Sequence, residues 1–108
     1  HKRGVTSINF SPNGQYLVSA SDDKTIKLWE VKSGRCINTF NGHNDIIKHA
    51  CFSPDGKYIA SASNDGTVKL WNIDNGECYR TFEVEGKHML YVAFTPDTTC
   101  IITCSDDF

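Results

Sequence analysis

The chain repeats itself every 42 residues, which limits it to architectures assembled from stacked copies of one unit. Phe10, Phe52 and Phe94 stand 42 apart, as do Trp29 and Trp71, and Asp23, Asp65 and Asp107. Residues 10–40 align with 52–82 without a gap, with 17 identities in 31 positions. A third copy opens in register with Phe94, Pro96, Asp97, Ser105 and Asp107, and the sequence stops at Phe108.

Within one period the pattern is β throughout. IKHACF (47–52) is followed by Ser-Pro-Asp-Gly, then YIASAS (58–63), Asn-Asp-Gly, TVKLWNI (67–73), Asp-Asn-Gly and ECYRTFEV (77–84). Four short strands are separated by turn chemistry, and no segment sustains a helical period. In the Ser-Pro-x-Gly turns proline presets φ at the first corner, and Gly14 or Gly56 can take the left-handed conformation that closes the hairpin. The third copy has Thr98 at that position, which predicts a differently built turn. The runs YLVSAS and YIASAS carry small or apolar residues on both sides, as strands do when both sheet faces are covered.

Composition narrows the function classes. At 39% hydrophobic and 22% charged residues the chain reads as globular. Eleven basic and 13 acidic residues leave a formal charge of −2, which gives no electrostatic reason to expect nucleic acid or an anionic membrane as partner. No apolar run approaches the roughly 20 residues that span a bilayer, and HKRGVTS lacks the apolar stretch of a signal peptide. Cys36, Cys51, Cys78, Cys100 and Cys104 are odd in number and form no CxxC. They are expected to be small, buried, reduced thiols, which points to cytosol or nucleus. A zinc site needs convergent ligands, and Cys100 and Cys104 on one strand with His88 upstream read as packing. No P-loop, dinucleotide-binding glycine pattern or HExxH occurs, so no cofactor and no metal are expected.

Gly42-His43, Ser61-x-x-x-Asp65 and Thr67-Val-Lys-Leu-Trp71 resemble the WD40 repeat family, as do Ser19, Asp23 and the Thr25-to-Trp29 run. The resemblance covers essentially the whole chain and implies an all-β fold, a partial β-propeller. Two complete four-stranded antiparallel blades and the first two strands of a third are expected, with the first strand of each blade innermost. Blade one would span 1–41, with strands 5–10, 16–21, 25–31 and 36–40. Blade two would span 42–84, with strands 47–52, 58–63, 67–73 and 78–83. The partial blade, 85–108, would hold strands 89–94 and 100–105. The family's naming dipeptide is Trp-Glu (29–30) and Trp-Asn (71–72) here, and Glu85 stands where the third motif histidine would align.

Ser61, His43 and Asp65 are also the parts of a catalytic triad, a hydroxyl, an imidazole and a carboxylate. The resemblance implies a structural alternative, in which the tryptophan indole donates to the hydroxyl, the hydroxyl to the imidazole and the imidazole to the aspartate. Blade two would use His43, Ser61, Asp65 and Trp71. Blade one would use His1, Ser19, Asp23 and Trp29, and the partial copy contributes Thr103 and Asp107. A set that recurs once per repeat suits architecture better than one active site. The recurring aromatics Trp29, Trp71, Phe10, Phe52, Phe94, Phe40 and Phe82 are expected in the core.

The family analogy places partners on the face formed by the loops between blades and the turns between second and third strands. Outward positions there fall on Gly4, Thr6 and Asp22 in copy one, on Ile46, Lys48 and Asn64 in copy two, and on His88, Leu90 and Asp106 in copy three. The expected function is a protein–protein interaction scaffold that binds other proteins or peptides and the remaining blades of its propeller. The alternatives are a hydrolase using the Ser-His-Asp set, or the sensor or targeting propeller of a multidomain kinase, ubiquitin-ligase adaptor or signalling ATPase. Two and a half blades would leave apolar blade faces bare, so the chain is expected to be a fragment of a longer polypeptide.

Overall fold

A computed structural model of the protein describes residues 4–83, 89–94 and 101–105. Ten strands follow in order: β1 (Val5–Phe10), β2 (Tyr16–Ser21), β3 (Thr25–Glu30), β4 (Cys36–Asn41), β5 (Ile47–Phe52), β6 (Tyr58–Ser63), β7 (Thr67–Asn72), β8 (Cys78–Glu83), β9 (Met89–Phe94) and β10 (Ile101–Ser105). They form two four-stranded antiparallel sheets, β1-β2-β3-β4 and β5-β6-β7-β8, and a two-stranded sheet of β9 and β10. This is the all-β architecture implied by the repeat, with the third strands ending at Glu30 and Asn72, one residue early. There Glu30 N–H already donates to Arg35 and Asn72 N–H to Glu77, closing the turn.

The turns follow their residues. Asn13 Oδ1 accepts from Ser11 Oγ and Gln15 N, and Asp55 Oδ1 accepts from Ser53 Oγ and Lys57 N. Gly14 and Gly56 close these turns at φ of 74° and 75°, a region glycine enters without Cβ strain. Register irregularities also recur at repeat-equivalent places, between Val5/Ser7 and Ile47/His49, and between Leu28/Trp29 and Leu70/Trp71. A bulge re-aims the side chains beside it, and here it sets the tryptophan of each third strand.

The core lies in the seam between sheets. Val18, Ala20, Ile26, Leu28 and Phe40 of the first sheet pack with Ile47, Ala50, Ile59 and Trp71 of the second. The opposite face of the second sheet buries Ala60, Ala62 and Val68 beside Cys51, Leu70 and Phe94. The second sheet is therefore covered on both sides, which explains why its strands lack a polar face. Side chains also close the seam. Asn9 Nδ2 donates to Ala50 O at 2.7 Å, Ala50 N donates to Ser7 Oγ at 3.2 Å, and Thr6 Oγ1 donates to Ile47 O. Residues of β1 thus satisfy backbone groups on the free edge of β5.

Two groups of residues depart from the expected burial. Phe10 is 64% exposed and Phe82 40% exposed, whereas their repeat mates Phe52 and Phe40 are half-buried and buried. Phe52 and Phe40 are covered by the adjoining sheet, and the described residues place no sheet over Phe10 or a third-strand tryptophan over Phe82. Cys36 and Cys78 are exposed rather than buried, because each opens the outermost strand of its sheet; Cys51 is half-buried. Cys36 and Cys78 are free thiols. Cys100 and the side chain of Cys104 lie outside the described residues.

Candidate functional site

Four side chains, from the loop before β5, from β6, from the β6–β7 turn and from β7, converge toward one end of the second sheet. Trp71 on β7 donates its indole N–H to Ser61 Oγ on β6 at 2.9 Å. Ser61 Oγ lies 2.6 Å from His43 Nε2 and 3.5 Å from Lys69 O. Its single proton therefore goes to the imidazole, the far closer acceptor. That fixes the His43 proton on Nδ1, which donates to Asp65 Oδ2 at 2.9 Å. Asp65 also accepts from Asn44 N on Oδ2 and from Thr67 N and Thr67 Oγ1 on Oδ1.

Electrostatics agree with a neutral imidazole beside an ionised carboxylate. Burial lowers the His43 pKa below 6.5, outweighing the hydrogen bond and charge of Asp65. Asp65 is pushed up by burial, but hydrogen bonds from Thr67, Asn44 and His43 prevail and hold it at about 2. The arrangement ties the loop through Gly42-His43-Asn44 to the tight turn at 63–67. Ser63 Oγ donates to Ile46 O and accepts from Asp65 N, adding a second tie between the same segments.

Gly42 shows why the motif dipeptide begins with glycine. It sits at φ 155°, and a Cβ there would stand 3.0 Å from Trp71 Cη2. The ring of Trp71 is also flanked by Phe40, with centroids 5.5 Å apart, and by the edge-on ring of His43 at 6.3 Å. Trp71 therefore closes the hydrogen-bond chain and fills the seam between the sheets.

The first repeat shows the same construction where it is described. Trp29 Nε1 donates to Ser19 Oγ at 2.9 Å, and Asp23 Oδ1 accepts from Thr25 N and Thr25 Oγ1. Ser21 Oγ donates to Gly4 O and accepts from Asp23 N, as Ser63 does for its own loop. His1, Asp107 and the side chain of Thr103 lie outside the described residues. Sequence reasoning quoted Thr25 and Thr67 in the motif without a role, though they bind the aspartates, and overlooked Ser21 and Ser63, which bind the loops. Each pair is identical at the 42-residue spacing, and that was the available signal.

The outward positions gather at the same end of the sheets. Thr6 is exposed, but its hydroxyl is given to Ile47 O. Asp22, Ile46, Lys48 and Asn64 are half-buried, with Asp22 N donating to Gly4 O and Asn64 N to Ile46 O. Asn64 Oδ1 is buried and accepts no hydrogen bond among the described residues. His88, Asp106 and the side chain of Leu90 lie outside the described residues.

Known proteins are similar in sequence to stretches of this chain. A ribosome biogenesis protein BOP1 homolog of Drosophila mojavensis is 50% identical over 48 residues, covering 44% of this chain and 6% of that protein. Its counterpart in Monosiga brevicollis is 62% identical over 37 residues, 34% of this chain and 5% of that protein. The Drosophila melanogaster homolog is 56% identical over 39 residues, 36% and 5% respectively. The chain thus spans about a twentieth of these relatives, a match roughly one repeat long. The family model described as WD domain, G-beta repeat matches residues 1–30, 34–72 and 76–108, and the chain belongs to the WD40 repeat family.

Proposed function

We propose that this chain is a binding scaffold, in which the His43–Ser61–Asp65–Trp71 set locks a blade and the loops above it receive a partner protein. One observation carries the reading. Ser61 is buried and its oxygen is engaged on both sides, accepting from Trp71 and donating to His43. A nucleophile needs an open approach and a neighbouring site for a reacting carbonyl. The same indole–hydroxyl pair recurs at Trp29 and Ser19, which supports an architectural role and argues against a hydrolase.

Over this repeated lock the loop face changes from copy to copy. Gly4, Thr6 and Asp22 give way to Ile46, Lys48 and Asn64, so one frame presents different chemistry at each blade. A further blade is the natural cover for β1, where Ile8 and Phe10 are exposed while their mates Ala50 and Phe52 pack against the first sheet. The free thiols of Cys36 and Cys78 and relatives named for ribosome biogenesis suit a cytoplasmic or nuclear setting. A similarity one repeat long supports the blade, and it leaves membership of a ribosome-assembly complex, like the kinase, ligase and ATPase settings, without a favouring observation.

The test is an Ile46→Asp, Lys48→Glu double variant of the full-length protein. It is expected to lose the partners that the unsubstituted protein retains on co-purification, with an unchanged melting temperature. An identical partner set would overturn the reading.

A further inference from the structure

A second surface lies at the opposite end of the sheets from the loops just described. The first-to-second-strand turns, 11–15 and 53–57, and the third-to-fourth-strand turns meet there, and a cleft of about 540 Å³ opens between the two complete sheets. Its volume falls within the range of specific ligand sites. Tyr16, Leu28 and Ile37 of the first sheet face Phe52 and Ile73 of the second across it. Ile37 is half exposed and belongs to neither core cluster, so its apolar surface is available to a ligand.

The polar part of the lining has one sign. Asp55 and Asp74 are its charged groups, and among the described residues no Lys, Arg or His lines the cleft. Hydrogen bonds from Ser53 and the Lys57 backbone hold the Asp55 carboxyl below its ordinary pKa. They use Oδ1 alone, which leaves Oδ2 for a ligand. Lys57 stands beside Asp55 but outside the lining. The opposing polar residues are amides: Asn13 is engaged with Ser11, and Asn38 lies against Gly76, where a Cβ would be 2.9 Å from its Nδ2. The uncharged first-sheet wall is particular to this seam, since one repeat later Asn38 becomes Arg80, stacked over Phe82, and Ile37 becomes Tyr79.

We infer that this inter-blade cleft binds a segment of a partner protein that places an apolar side chain next to a lysine or arginine. The apolar side chain enters between Ile37 and Phe52, and the cation reaches Asp55 and Asp74. This surface is separate from the loop face, so either can fail without the other.

The test is fluorescence anisotropy on the full-length protein with a fluorescein-labelled peptide GSKLRSG and its acidic counterpart GSELESG. The basic peptide is expected to bind at least tenfold tighter, with an affinity that falls as salt is raised. Asp55→Asn with Asp74→Asn keeps the Oδ1 acceptor of the turn and should weaken binding at least fivefold. Ile37→Ser, at a position outside the core, should do the same, with the melting temperatures of both variants unchanged. Equal affinity for the two peptides, or undiminished binding by the Asp55/Asp74 variant, would overturn the inference.

Discussion

Trp71 and Ser61 face each other across neighbouring strands with the indole N–H 2.9 Å from the hydroxyl, and Trp29 and Ser19 repeat that distance 42 residues earlier. The pair is the link between packing and polar order in this fold. The ring of Trp71 fills the seam against Phe40 while its one polar atom starts a chain of hydrogen bonds that ends on the Asn44 backbone. A buried network of this kind is stabilising only when every member is satisfied.

The charge states make stability depend on pH in two stages. His43 is held below 6.5 in the fold, so the unfolded chain binds a proton first. Its contribution is complete above pH 6.5 and is lost as pH falls through the lower folded value. Asp65, at about 2 against an ordinary 3.8, contributes fully above pH 3.8 and loses that contribution as pH falls toward 2. Urea midpoints from pH 7.5 to 3 should therefore fall in both windows. His49, also lowered by burial, adds in the same direction, and a His49→Gln background isolates His43.

Lys24 adopts φ 72° at the turn position where the second copy has Gly66 at 83°. A side chain in that left-handed region is strained. Lys24→Gly is predicted to raise stability by about 0.5–1 kcal/mol, read by chemical denaturation.

Gly42→Ala should act in the opposite direction. Its Cβ would press on the Trp71 ring, which also packs against Phe40. A loss of about 1–3 kcal/mol is expected from overpacking, with a shift in tryptophan fluorescence as the ring is displaced.

The three described thiols should separate by reactivity. Cys36 and Cys78 are exposed, whereas burial raises Cys51 to about 11, partly offset by the Phe94 backbone. Alkylation followed by peptide mass spectrometry should label Cys36 and Cys78 rapidly and Cys51 slowly, because only the thiolate reacts.

Much of this was legible in the sequence because the repeat prints the same residues at the same offsets. Strand order and the glycine turns follow from that spacing, and the convergence of His43, Ser61, Asp65 and Trp71 is what the resemblance to the WD40 repeat implied. Burial did not follow from it. Phe10 and Phe52 are the same residue at the same offset, yet only Phe52 has a sheet beside it, so exposure is set by neighbours rather than by the repeat. The thiols of Cys36 and Cys78 sit in strand-like runs that read as interior, but they open outermost strands. Gly42 was visible as half of a dipeptide, while its reason, the approach of Trp71 from another strand, is a tertiary contact that no local pattern contains.

The central claim is that Ser61 holds the blade together rather than attacking a substrate. Ser61→Ala removes the acceptor of the Trp71 indole and the donor to His43 Nε2 at once, leaving two buried polar groups without their partner. Equilibrium urea unfolding of this variant in the full-length protein measures the consequence. A loss of about 2–4 kcal/mol is predicted from two unsatisfied buried groups. An unfolding midpoint equal to that of the unsubstituted protein would contradict the claim.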